Sequence, residues 1–233
     1  MEMLAFFLDP MYFVYVGPAI LLALWAQAKV KSAYRQGSQY QARSGLSGAE
    51  TAQRILDQFG IADVGIEPMK SFLGDHYDPR NKVLRLSPDV YHGRSLAALG
   101  IAAHEVGHAI QHAKRYAPLA LRNGLVPMAS VGSSLSILLI LAGAFIAVLR
   151  PLAIVGLVLF GAVVLFQLIN LPVEFNASSR ARAILLNTGM ITAEEDPVVA
   201  KVLNAAAMTY VAATITAIMT LLYYASIVLG RRN

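Results

Sequence analysis

The sequence predicts a mostly α membrane protein: four transmembrane helices with a small α+β domain at the membrane face. Three observations carry that expectation. Of 233 residues, 57% are hydrophobic and only 14% are charged, against about a quarter charged in an average soluble domain. Four stretches are apolar over the roughly 20 residues that a helix needs to cross a hydrocarbon core of about 30 Å. Two polar stretches between the spans carry helix and strand signals of their own.

In chain order, residues 11–28 are the first expected span, with Tyr12, Tyr15 and Trp25 placed like interfacial anchors. The span reads as retained and not cleaved. Glu2 and Asp9 stand where a secretory signal has basic residues, and Lys29 and Lys31 follow where a small-residue cleavage site is expected. A polar domain occupies 29–126. The second and third spans are 127–149 and 152–171, with Arg150-Pro151 expected to make a tight hairpin between them. A connector fills 172–204, and the fourth span, 205–229, runs into Gly230-Arg231-Arg232.

The hairpin puts both polar stretches on one membrane face. They hold all of the 19 Lys and Arg residues except Arg150, Arg231 and Arg232. Lys29, Lys31, Arg35, Lys114, Arg115, Arg122, Arg180 and Arg182 lie near membrane ends, where the positive-inside rule has most force. The expected topology is a cytoplasmic polar domain with both termini outside. A formal net charge of +5 fits anionic headgroups of the lipid bilayer. No basic run interleaved with aromatics is present, so nucleic acid is excluded as a partner.

Within the polar domain, Ser47-Gly-Ala-Glu50 has capping-box spacing and opens a helix with Ala52, Ile55, Leu56 and Phe59 on one face, closed by Gly60. Ile61 to Met69 reads as extended. Asp75-His-Tyr-Asp-Pro79-Arg-Asn81 reads as a turn. Lys82 to Ser87 alternates like a half-buried strand. A long helix is expected from about Ser95 through Ala113.

That helix contains His104-Glu105-Val106-Gly107-His108, the H-E-x-x-H pattern. Histidines four apart lie one above the other on a helix face, so both imidazoles reach one ion. The intervening glutamate can take a proton from a water activated by that ion. The run Leu96 to Ala103 before it is almost wholly apolar, and burying two unpaired imidazoles and a carboxylate at its end is costly unless a metal compensates. With no cysteine in the chain, disulfides are excluded, and imidazole and carboxylate are the ligands at hand, a set that suits zinc.

Zinc takes a third protein ligand and keeps one position open. His112 is about 12 Å of helical rise beyond His104 and cannot join the same site; an interfacial or supporting role fits it better. Lys114 stands where a metzincin has its third histidine. The remaining candidates are Glu174, Glu194, Glu195 and Asp196. The last three form an exposed acidic cluster, where Thr192-Ala-Glu-Glu195 resembles a helix cap. Glu174 instead follows Leu171-Pro172 in an apolar run, where a carboxylate marks function by default. Its bland alternative is an ion pair with Arg180 or Arg182.

Asp75-His-Tyr-Asp-Pro79, Ala102-Ala-His-Glu-Val-Gly-His-Ala-Ile-Gln-His112 and Pro172-Val-Glu-Phe-Asn-Ala-Ser178 together resemble the YugP-type membrane zinc metallopeptidases, over almost the whole chain. More distantly, Glu174-Phe-Asn-Ala is similar to the second metal motif of the HtpX and CAAX-prenyl-protease superfamily. The resemblance implies a zincin-like domain with a gluzincin site: His104, His108 and Glu174 on Zn2+, and Glu105 as catalytic base. It further implies a zinc metalloendopeptidase, multi-pass in a bacterial plasma membrane, acting on polypeptide or membrane-protein substrates, with room for a homo-oligomer or another membrane partner. Ser178 departs from the superfamily pattern, which has Asp four residues after the ligand glutamate, and Asn176 stands where YugP-type relatives often carry an acid.

Two secondary assignments follow. Lys82 to Ser87 is the strand expected to pair with extended substrate. His76, Tyr77 and Arg180 are candidate oxyanion donors. Two further readings differ in kind: intramembrane cleavage, disfavoured by the polar flank Gln111, Lys114 and Arg115, and a non-catalytic zinc-binding scaffold, for which Glu105 would be superfluous.

Overall fold

The computed structural model describes residues 9–70 and 74–230; Glu2, Arg231 and Arg232 lie outside them. The elements are α1 (Pro10–Gln39), α2 (Gly48–Gln58), β1 (Gly65–Pro68), β2 (His76–Asp78), β3 (Val83–Leu86), α3 (Pro88–Tyr91), α4 (Leu96–Ala113), α5 (Ala117–Phe145), a 3-10 turn (Ala147–Leu149), α6 (Arg150–Asn187) and α7 (Asp196–Gly230). Among the described residues four helices are long and apolar enough to cross a membrane: Pro10–Gln39, Ala117–Phe145, Ala147–Asn187 and Asp196–Gly230. Three of them extend past both ends of the apolar stretches 11–28, 152–171 and 205–229; the helix over the expected 127–149 begins earlier, at Ala117, and stops at Phe145, because the chain bends at 146–149. Apolar length sets what can sit in lipid, whereas helix length is set by backbone hydrogen bonding, which continues into the polar flanks.

The chain forms two compact units. Among the described residues the first comprises 9–26, 121–171 and 209–230. Its helices point large apolar side chains outward, among them Leu21, Leu138 and Val158 at 64–69% exposure, the pattern of a lipid-facing surface. Close helix contact is made at Gly156, whose missing Cβ leaves space against the Ser136 carbonyl oxygen and Ile140. The hydroxyls of Thr214, Thr216 and Thr220 donate to carbonyls one turn back, at 2.7–2.8 Å, and so need no water. The expected hairpin at Arg150-Pro151 is displaced. The bend falls in the preceding 3-10 turn, and Arg150 and Pro151 open α6, because a proline lacking N–H and fixed in φ suits a first helical turn.

The second unit, residues 27–120 and 172–208, holds the sheet and the motif helix. The capping box forms: Ser47 Oγ accepts the Glu50 N–H at 3.1 Å, and Glu50 Oε2 accepts the Ser47 N–H at 2.7 Å. Ala52, Ile55 and Leu56 of α2 are completely buried, and Gly60 ends the helix at φ 64°. The sheet order is β1-β3-β2, with β1 parallel and β2 antiparallel to β3. The supposed turn at residues 75–81 is therefore half strand. Asp78 turns the chain by accepting the Arg80 and Asn81 N–H groups on Oδ1, while β2 pairs with β3 from His76 to Asp78.

Lys82 to Ser87 is not an edge strand. Its two sides are taken by β1 and β2, so it has no free hydrogen-bonding edge for a substrate, and Val83, Leu84 and Leu86 are all buried. The core joins Leu56, Leu84, Val90, Leu99, Val106, Ile110, Leu185 and Leu203. Burial of each such side chain contributes about 1.5–3 kcal/mol. The cluster fixes the motif helix α4 against α2, the sheet and the segment of α6 beyond Pro172.

Candidate metal centre

Ser95 caps α4 by accepting the Ala98 N–H on its hydroxyl at 3.2 Å, and the Ala-rich turn behind it is a strong helix former. Along α4, Ala102, Ala103 and Val106 are completely buried, so the helix enters the core with His104, Glu105 and His108 already committed to an apolar setting. The two imidazoles stack one turn apart, ring centroids 4.8 Å from each other and planes at 87°.

Glu174 arrives on α6 and is 3% exposed. Its Oε2 lies 3.3 Å from His104 Nε2 and 3.6 Å from His108 Nε2. Among the described residues that oxygen is buried without a hydrogen-bond partner. A buried carboxylate oxygen left unpaired is costly. Two imidazole nitrogens and one carboxylate oxygen, all within 4.8 Å of one another, are the donors a divalent cation takes. With ligand bonds of about 2.0–2.1 Å, neighbouring donors in a tetrahedral site stand about 3.3–3.4 Å apart. The spacing fits zinc.

The other acids are otherwise engaged. Glu194 is exposed and 3.6 Å from Arg43. Glu195, expected in an exposed cluster, is buried: its Oε1 accepts the Arg43 N–H at 2.8 Å and its Oε2 the Thr192 N–H at 2.7 Å. Asp196 takes two bonds from Arg182, at 2.9 and 2.6 Å. Arg180 Nε donates to Asn176 Oδ1 at 2.7 Å. The ion pair of Glu174 with Arg180 or Arg182 is thus not formed.

Glu105 is 8% exposed, and its Oε2 accepts the Tyr77 main-chain N–H at 3.0 Å. Burial pushes its carboxyl above the ordinary value, against the pull of the His104 and His108 imidazoles. A bound dication acts in the opposite sense. The Tyr77 hydroxyl lies 2.8 Å from His112 Nδ1, and burial together with Asp63 and Asp78 pushes that phenol up to about 12. His112 thus supports Tyr77. Of the candidate oxyanion donors, His76 turns Nδ1 to the Gly74 carbonyl at 2.7 Å, and Tyr77 and Arg180 are bonded as above.

Three further residues contribute to the site. The Ser178 hydroxyl meets His104 Nδ1 at 3.1 Å. Gln111, expected in a polar flank, is completely buried and meets His108 Nδ1 at 3.0 Å. Gly107 gives α6 room: a Cβ there would stand 2.9 Å from the Ala177 carbonyl oxygen. The i, i+3 spacing of His108 and Gln111 on one helix face was the available signal for the second.

Four apolar helices and a His-His-Glu donor set whose carboxylate is buried define a membrane protein with a candidate zinc centre. Over residues 12–229 the chain matches the family described as "Putative neutral zinc metallopeptidase", and it belongs to that family. A curated relative, "Putative membrane protease YugP" of Bacillus subtilis (strain 168), is 48% identical over 224 residues, covering 96% of this chain and 99% of the relative. No solved structure matches the chain.

Proposed function

We propose that the protein is a zinc-dependent endopeptidase of a bacterial plasma membrane, hydrolysing peptide bonds in membrane or membrane-delivered proteins. His104, His108 and Glu174 hold the metal, and Glu105 is the general base. One observation carries this reading: the buried, otherwise unbonded Glu174 Oε2 lies 3.3 and 3.6 Å from the two Nε2 atoms of an H-E-x-x-H helix.

Zinc, when bound, supplies Lewis acidity to a water and to a substrate carbonyl. The protein supplies the rest. Glu105 takes the proton from the attacking water and returns it to the leaving amine. The Tyr77 N–H bond fixes Oε2 and leaves Oε1 to meet that proton. The Lys and Arg distribution, read with the positive-inside rule, supports a cytoplasmic site.

The test is Glu105→Gln in the full-length protein. Zinc content stays at the wild-type level, and cleavage falls by about 10²–10⁴-fold, the usual contribution of a general base. Comparing peptide termini in membranes carrying the active and Glu105→Gln forms identifies the substrates. Equal cleavage by both forms removes Glu105 from the mechanism.

A further inference from the structure

Gln111 is completely buried with both ends of its amide engaged. Its Nε2 lies 2.9 Å from the Val173 carbonyl oxygen and 3.0 Å from Asn176 Oδ1, and its Oε1 lies 3.0 Å from His108 Nδ1. The two ends are not interchangeable here. A backbone carbonyl only accepts, so the NH2 end must face Val173. Asn176 gives the same answer independently. Arg180 Nε only donates and lies 2.7 Å from Asn176 Oδ1, so that atom is an oxygen and needs the Gln111 NH2 opposite it.

Both Gln111 hydrogens are thereby used. The end turned to His108 is a bare oxygen, which accepts, so His108 Nδ1 carries the hydrogen. A neutral imidazole has one N–H, which leaves the lone pair on Nε2, 3.6 Å from Glu174 Oε2. The Ser178 hydroxyl beside His104 can donate or accept and imposes no such direction.

We infer that Gln111 is a positioning residue of the metal centre, locking His108 in the tautomer whose Nε2 can ligate. Its anchor, the Val173 carbonyl, adjoins Glu174, so one turn of α6 delivers the carboxylate and also sets the imidazole opposite it. The inference rests on the reading that His104, His108 and Glu174 hold zinc.

The experiment measures zinc affinity of the purified full-length protein by competition with a chromophoric chelator, alongside its melting temperature. Gln111→Met removes the acceptor and lowers affinity about 10–100-fold, as loss of a ligand-orienting partner does. Gln111→Glu keeps an acceptor for His108 but loses both donors; it melts lower yet keeps near-wild-type affinity. Should Gln111→Met fail to fold, Gln111→Asn, one methylene too short to reach Nδ1, replaces it with the same expected loss. Equal zinc loss in the Glu and Met variants, or wild-type affinity in the Met or Asn variant, overturns the inference. His108→Ala separates the two levels: if it keeps zinc, the metal assignment itself has failed.

Discussion

Gly107 and Ala177 face each other so closely that a Cβ on Gly107 would stand 2.9 Å from the Ala177 carbonyl oxygen and 3.2 Å from its Cα. Both neighbouring atoms are backbone, so neither side can yield by a rotamer change. Gly107→Ala therefore pushes α4 from α6 within the turn that brings the imidazoles to Glu174. We expect a loss of about 1–3 kcal/mol in stability, typical of overpacking, with weakened zinc binding by chelator competition. Wild-type affinity in the variant means the approach is not what sets the donor spacing.

The third ligand is tested by a pair of variants. Glu174→Ala leaves two imidazoles and loses most of the zinc seen by elemental analysis. Glu194→Ala, which removes only an exposed contact 3.6 Å from Arg43, keeps it. The reverse result transfers the role to the acidic cluster.

Ser178→Ala removes the partner of His104 Nδ1, seen at 3.1 Å. Zinc affinity falls by about 10-fold, the low end for losing such a partner. Ser178→Asp puts a carboxylate there, a stronger acceptor for the imidazole N–H, and holds or raises the affinity. Wild-type affinity in Ser178→Ala shows that His104 needs no partner at Nδ1.

The β2–β3 hairpin is sensitive to acid. Hydrogen bonds from Arg85 and then Asn81 hold the Asp78 carboxyl well below the usual carboxylate range. The folded value lies below the unfolded one of about 4, so the stabilisation is complete above that pH and is lost as pH falls further. The melting temperature is expected to drop under acid. Asp78→Asn should cost about 1–2 kcal/mol at neutral pH, with allowance for solvent screening, and should flatten the acid limb. An unchanged acid limb assigns the sensitivity elsewhere.

The candidate centre was legible wherever its chemistry is local or conspicuous. His104 and His108 declare themselves because four residues of helix put them on one face, and Glu174 because a carboxylate in an apolar run needs a reason. The four apolar helices follow from composition, and α2 from its capping box. What was hidden depends on partners distant in sequence. Alternation in Lys82 to Ser87 says which side chains point inward, but not that strands pair on both sides. Gln111 reads as polar flank until Val173 and Asn176, more than 60 positions away, are brought to it. Glu195 looked exposed because the Arg43 N–H that satisfies it is 152 positions distant.

The second unit is discontinuous: residues 121–171 intervene between its two parts. In translation order both histidines, all of α5 and most of the apolar part of α6 precede Glu174. A chain cut short before that residue therefore lacks one of the three candidate donors, whatever the state of its earlier helices. On the proposed function, the capacity to cut peptide bonds would arrive only with the late-made part of α6.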